Sequence, residues 1–239
     1  MAWRAGADQG SGGLRGASGS LVSVAVDPSS WAHKRSKYDD PRVAAEYEAR
    51  RYQGWARRWR EALHESTLAR AFADVPAGSR VLDLPCGTGI LAPWLRARGY
   101  RVIGADIARE MLGQARAKGA DLALCQADAE RLPFADRSVD VALVVRFLHL
   151  LPPEVRHRVW RELARVTRER VVLSVSLDPW ALKHVWKRLR GGGKPYFMTR
   201  AQLAADMAPH GLRLERVLQK MPFVSTAWVV VCRPEPGYT

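Results

Sequence analysis

Val81-Leu-Asp-Leu-Pro-Cys-Gly-Thr-Gly89 is the stretch that decides the fold. Its aliphatic start fits a buried parallel strand, and Gly87 and Gly89 permit a tight turn with close approach of a ligand to the backbone. Ile90 to Arg96 reads as a helix, so the glycines join strand to helix. α/β proteins hold nucleotide-like cofactors at such a turn, although a Gly-rich turn alone also marks an ordinary strand-to-helix connection.

Downstream, successive strand ends each carry a polar residue. Tyr100 to Ala105 is a second apolar run and stops at Asp106, roughly twenty residues past the glycines, where an acid can accept hydrogen bonds from two ribose hydroxyls. Ala120 to Gln126 gives a third strand ending in Ala127-Asp128-Ala129, and Asp128 is placed to accept from an exocyclic adenine amine. Val139 to Val145 is the clearest strand of the set and ends at Arg146-Phe-Leu-His149. Ligands of open α/β sheets bind beyond the carboxyl ends of the strands, so Asp83, Asp106, Asp128 and His149 are expected to converge. Asp106 and Asp128 also read singly as helix N-caps; the ordered series of polar tips is harder to explain that way.

These motifs resemble those of class I S-adenosylmethionine-dependent methyltransferases over about residues 38 to 233. The resemblance rests on Asp83-Leu-Pro-Cys-Gly-Thr-Gly89 with Asp106, on Gln126-Ala-Asp-Ala-Glu-Arg-Leu-Pro-Phe134, and on the strand opening Ser138-Val-Asp-Val. It is similar in particular to the branch containing the ubiquinone and menaquinone C-methyltransferases. The fold this implies is α/β: a doubly wound, Rossmann-like, seven-stranded sheet, mostly parallel, with one antiparallel strand near the C-terminus and helices on both faces. The implied cofactor is S-adenosyl-L-methionine, with S-adenosyl-L-homocysteine as product. By resemblance, the backbone of Cys86, Gly87, Thr88 and Gly89 approaches the methionine part and Asp106 takes the ribose. Ile107 and Met111 flank the adenine, whose edge Asp128 and Ala129 recognise. Asp83, Pro85 and Arg146 complete the expected cofactor set. Pro85 departs from the family pattern, standing where the first glycine is usual; it removes an amide donor and fixes φ, which stiffens the entry to the turn.

The remaining segments suit the same architecture. Pro152 to Val166 reads as a helix whose prolines lie at its start, with Val155, Val159, Leu163 and Val166 as its apolar stripe. Arg158, Arg161, Arg165 and Arg168 fall on the other side and read as a solvated row that needs no function. Arg170 to Leu177 is a fifth strand, Thr199 to Gly211 a helix with a terminal glycine, and Leu212 to Met221 and Ser225 to Cys232 the last two strands, with Pro222 at the turn between them.

With 239 residues and 47% hydrophobic content, the chain is read as one methyltransferase domain over 31–239, preceded by a Gly- and Ser-rich, flexible segment 1–30. An N-terminal helical lid is expected over 31–72 and a lid insertion over 178–198. The insertion combines a basic amphipathic helix with Trp180, Trp186, Tyr196 and Phe197, which can wall an apolar acceptor pocket or simply pack on the sheet. Tyr38, Tyr47 and Tyr52 are the corresponding contacts of the first lid, and each also reads as an amphipathic surface tyrosine; Trp55 and Trp59, one turn apart, read as packing residues.

Thirty-eight basic against 24 acidic residues give a formal charge of +14 and a pI near 10.4. That excess points to an anionic surface, membrane or RNA, or else reflects an Arg-rich composition overall. Three scattered cysteines, Cys86, Cys125 and Cys232, exclude a disulfide framework and show no metal-ligand spacing, so a reducing cytoplasm is expected and no metal; an organelle presequence stays open. Cys86 is read as a small turn residue rather than a nucleophile. No feature specifies an oligomeric state.

A sulfonium methyl is already activated, so the protein must align a nucleophile with it and, for oxygen or carbon, remove a proton. His149 is the candidate base, against a reading in which it only packs beside the cofactor. The acceptor is expected to be a small or lipid-like molecule, methylated at oxygen or carbon. Two rivals stay open: an NAD-dependent oxidoreductase, because Gly87 to Ala92 also fits a looser dinucleotide fingerprint, and a basic RNA-associated protein or RNA methyltransferase.

Overall fold

The computed structural model describes residues 22–23, 40–44, 46, 55–118, 122–176, 198–219, 227–235 and 237. Its strands are β1 (Val22–Ser23), β2 (Arg80–Asp83), β3 (Arg101–Asp106), β4 (Ala123–Gln126), β5 (Val139–Val145), β6 (Thr167–Ser176), β7 (Leu212–Gln219) and β8 (Ala227–Pro234). The helices are α1 (Trp55–Ala71), α2 (Ala92–Arg96), α3 (Arg109–Ala117), α4 (Pro153–Val166) and α5 (Arg200–Met207).

All the strands join one sheet in the order β1-β4-β3-β2-β5-β6-β8-β7. Pairing is parallel throughout except around β8, which runs antiparallel to both β6 and β7. The expected seven strands are therefore present with one reversed, and an eighth is added at the edge. Val22 and Ser23 pair with Cys125 and Gln126 of β4, giving that strand an edge partner not expected from the sequence.

Consecutive strand residues alternate between two apolar layers, as the pleat requires. Leu82, Ala142, Val144, Val171 and Leu173 face the layer that holds Val155, Val159, Trp160, Leu163 and Val166 of α4. Val81, Val141, Leu143, Val172 and Val229 face the opposite layer, with Leu68 and Ala71 of α1, Leu95 of α2 and Leu112 and Ala115 of α3. Burial on both faces explains why these strands read as continuous aliphatic runs.

α4 is fastened to α5 by a polar cluster. The Arg156 guanidinium, 5% exposed, donates to both carboxylate oxygens of Asp206 at 2.6 and 3.1 Å, and the fully buried Trp160 donates its indole N–H to Asp206 at 2.8 Å. α5 itself opens on a capping box between Thr199 and Gln202, the pattern that satisfies orphan amides at a helix start. Among the described residues, no helix is long and apolar enough to cross a membrane.

The strand order reverses between β2 and β5: β3 and β4 follow β2 to one side, and β6 follows β5 to the other. A crevice opens beyond the carboxyl ends at such a switch point. Asp83 is paired with Leu143 there, so the Leu84–Gly89 turn and the Arg146–Leu150 segment leave the sheet side by side.

Candidate cofactor site

The turn after β2 is anchored from both neighbouring strands. Leu84 N–H donates to Leu143 O of β5 at 2.9 Å, and Cys86 N–H donates to Ala105 O of β3 at 2.8 Å. Pro85 stands between these anchors on a cis Leu84–Pro85 peptide. Gly87 and Gly89 then adopt φ of +54° and +73°, the left-handed region that only glycine enters without strain. Among the described residues a Cβ on Gly87 would meet no atom within 4 Å, so they leave this stretch of backbone open to a ligand; one on Gly89 would lie 3.1 Å from the Ala115 Cβ. Glycine thus serves access at the first position and helix packing at the second.

Asp106, at the tip of β3, is pre-oriented against this turn. Its Oδ2 accepts the Gly87 amide at 2.8 Å and its Oδ1 accepts the Ala108 amide at 2.9 Å. Each carboxylate oxygen keeps acceptor capacity, which suits a pair of vicinal hydroxyls. The N-cap of α3 is Ala108, so Asp106 is not that helix's cap. Asp83, 2% exposed, lies nearby, and burial together with the Asp106 charge pushes its carboxyl up to about 8.

Cys86 is buried, and burial with the charges of Asp106 and Asp83 pushes its thiol well up. A thiol held protonated is a packing group, not a nucleophile. Its Sγ would lie 3.1 Å from a Cβ on Gly104, so the glycine of β3 lets the turn seat this closely. Thr88 is buried, and its carbonyl accepts from Lys118 Nζ at 2.7 Å.

Ile107 and Met111 follow Asp106 on the loop and first turn of α3. Met111 is buried in a small cluster with Ala108 and with Ala44 from the N-terminal segment. That segment therefore reaches the residues expected to flank the adenine, through Ala44 among the described residues. Gln126, at the tip of β4, donates its side-chain amide to Ile107 O at 3.1 Å and ties the second and third strand tips together. Sequence alone gives Gln126 only as part of a motif, and its place at a strand end is the signal for this role.

Asp128 and Ala129 are buried just beyond β4. Asp128 Oδ1 accepts the Glu130 amide at 2.9 Å and Asp128 O accepts the Arg131 amide at 3.0 Å, so the residue shapes a turn and caps no helix. Arg146, directly after β5, has φ +55°, unusual for a residue with a Cβ, and its amide donates to Ser174 O at 3.2 Å. His149 lies half-buried in the short helical turn Leu148–Leu150 beyond it. Asp83, Asp106, Asp128, Arg146 and His149 thus share the carboxyl edge of four neighbouring strands. Tyr38, Tyr47, Tyr52, Trp180, Trp186, Tyr196 and Phe197 lie outside the described residues.

The arginine row of α4 departs from expectation. Arg168 belongs to β6, and Arg165 does not point freely into solvent but binds two carbonyls and the Asp136 carboxylate of the segment that follows Asp128. Arg158 pairs with Glu130 of the same segment.

Residues 81–170 match the family model described as a methyltransferase domain. The chain is 32% identical over 174 residues to a malonyl-[acyl-carrier protein] O-methyltransferase of Pectobacterium atrosepticum, covering 68% of this chain and 67% of that protein. It is 37% identical over 131 residues to a demethylmenaquinone methyltransferase of Beutenbergia cavernae, covering 54% of this chain but only about half, 51%, of that relative. The fold superposes on magnesium protoporphyrin IX methyltransferase of Synechocystis PCC 6803 with bound SAH at a TM-score of 0.66 and 19% identity, over 85% of this chain and 99% of that one.

Proposed function

Because the chain belongs to the class I S-adenosylmethionine-dependent methyltransferases, we infer that it transfers the methyl group of S-adenosyl-L-methionine to a small-molecule or lipid-like acceptor, at oxygen or carbon. The observation that carries this reading is the Asp106 carboxylate, fixed by the Gly87 and Ala108 amides at the mouth of a left-handed glycine turn. The cofactor, when bound, supplies a sulfonium-activated methyl. Asp106 holds the ribose hydroxyls, Asp128 accepts from the adenine amine, and Ile107 and Met111 flank the ring. The Cys86–Gly89 backbone receives the methionine part, in the space above Gly87. Asp83 and Arg146 border that part from β2 and β5. His149, beyond the β5 tip, takes the proton that an oxygen or carbon nucleophile must release.

Two relatives bear on the acceptor. One is named for a malonyl group on a carrier protein and the other for a demethylmenaquinone, so both act on molecules with a lipid or acyl character. A cytoplasmic enzyme with contact to an anionic membrane surface suits such an acceptor, and the formal charge of +14 supports that contact. The same charge favours the second reading, an RNA methyltransferase, whose affinity for RNA would fall steeply with salt.

The cofactor is tested by thermal shift with S-adenosylhomocysteine against NAD: a rise in melting temperature with the first and none with the second is expected, and the reverse would overturn the cofactor assignment. Transfer of a labelled methyl group into fractionated lipid, small-molecule and RNA extracts then identifies the acceptor class. Label confined to RNA would overturn the small-molecule reading.

A further inference from the structure

The loop that follows Asp128 is held from one side by α4, where Glu162 and Arg165 act together beside the Arg158–Glu130 pair. Glu162 Oε2 accepts the Leu132 amide at 2.6 Å. Arg165 donates to Leu132 O at 2.9 Å, to Phe134 O at 2.7 Å and to Asp136 Oδ1 at 2.7 Å, and it is itself bracketed by both oxygens of Glu162 at 2.8 Å. Backbone donor and acceptor of one residue, Leu132, are thereby gripped by a single ion pair. Leu132 directly follows Arg131, whose amide closes the turn on Asp128 O. Few covalent links separate the clamp from the carboxylate assigned to the adenine edge.

Apart from these bonds, the Arg158–Glu130 pair and the Arg137 amide on Arg165 O, regular structure does little to fix the loop: between β4 and β5 the only bridge among the described residues is Asp128 to Arg131. Leu132 and Phe134 are buried and supply adhesion without direction, because apolar contact does not set the orientation of a peptide. Charge-assisted hydrogen bonds do set it. Hydrogen bonding to Glu162 keeps the Arg165 guanidinium firmly charged, and the side chain is 28% exposed, so the clamp is only partly open to solvent screening. A surface ion pair that merely tied one helical turn would have no reason to spend four of its contacts on another segment.

We infer that Glu162 and Arg165 are positioning residues for adenine recognition: they set the loop so that the Asp128 carboxylate meets the exocyclic amine of the cofactor. The assignment rests on the cofactor reading above. It gives the α4 arginine row a second purpose, since Arg165 acts on the site through the loop while Arg161 lies exposed on the same helix.

Calorimetric titration separates the two levels of this reading. S-adenosylhomocysteine is compared with its hypoxanthine analogue, in which a carbonyl replaces the exocyclic amine, on wild type, Arg165→Lys, Glu162→Gln and Arg161→Ala. Wild type and Arg161→Ala are expected to prefer the adenine compound. Arg165→Lys and Glu162→Gln are expected to lose about tenfold in affinity for it, the scale of one charge-assisted hydrogen bond, with little change for the analogue, so that the preference shrinks toward one. Variants that keep the wild-type preference would overturn the inference. Loss of the fold in both conservative variants would also count against it, by making the pair a fold element. Failure of wild type to bind S-adenosylhomocysteine would instead defeat the cofactor reading itself.

Discussion

Asp106 and Gly87 lie nineteen residues apart and are joined by one hydrogen bond, the Gly87 amide donating to Oδ2 at 2.8 Å. The bond makes the glycine turn after β2 and the acid at the tip of β3 a single unit. Gly104, two residues before Asp106, lets Cys86 of the turn seat closely against β3.

Gly104→Ala tests the packing. The added Cβ would lie 3.1 Å from Cys86 Sγ and 3.0 Å from Leu124 Cδ2, so both side chains would have to give way by a few tenths of an ångström. Overpacking of this kind costs about 1–3 kcal/mol, and the displaced turn should also bind S-adenosylhomocysteine more weakly. Urea denaturation and calorimetry on the same preparation read both effects; wild-type values in both would show that the turn has slack.

Asp83→Asn tests the buried acid. With its carboxyl raised from 3.8 to about 8, folded Asp83 keeps its proton where the unfolded chain has lost it. The folded state binds more protons across that interval, so wild-type stability falls as pH rises from about 4 to about 8. The Asn variant lacks this contribution. Its melting temperature should gain on that of wild type progressively over the interval, and parallel pH profiles would contradict the shift.

Asp206→Ala tests the tie between α4 and α5. It leaves the Arg156 guanidinium buried without its carboxylate and the Trp160 indole without its acceptor. A loss of about 2–4 kcal/mol is expected, with a milder loss for Asp206→Asn, which keeps an acceptor. Chemical denaturation gives the comparison, and a loss below about 1 kcal/mol for the alanine variant would mean that water replaces the carboxylate.

The sheet was legible because its strands are buried on both faces, which writes them as aliphatic runs: Val139–Val145 was read to the residue. Boundaries at solvent were less so. β6 begins at Thr167 rather than Arg170 because it continues directly from α4, with no turn residue between them to mark the change. The polar strand tips were legible because type and position coincide, as at Asp106 and Asp128. Contacts made by backbone to distant side chains left no periodic trace. Arg165 repeats at helical spacing with Arg158 and Arg161 and so looks like a solvated row, while its partners Leu132 O and Phe134 O are invisible in any one-dimensional pattern. Val22–Ser23 was missed for a related reason, since an edge pairing of two residues leaves almost no signal.

His149→Gln tests the proposed base. Removal of a general base lowers kcat by about 10²-fold or more and abolishes the limb of the pH profile that reports its ionisation, with the acceptor KM changed much less. Turnover that persists with the wild-type pH profile would make His149 a packing residue.

The central claim is tested most directly by calorimetric titration of S-adenosylhomocysteine into wild type and Asp106→Ala, with circular dichroism confirming that both are folded. Saturable binding to wild type and none to the variant is the expected result. Equal affinity for the two proteins, or no binding to either, would contradict the assignment of the Gly87–Asp106 unit as the cofactor site.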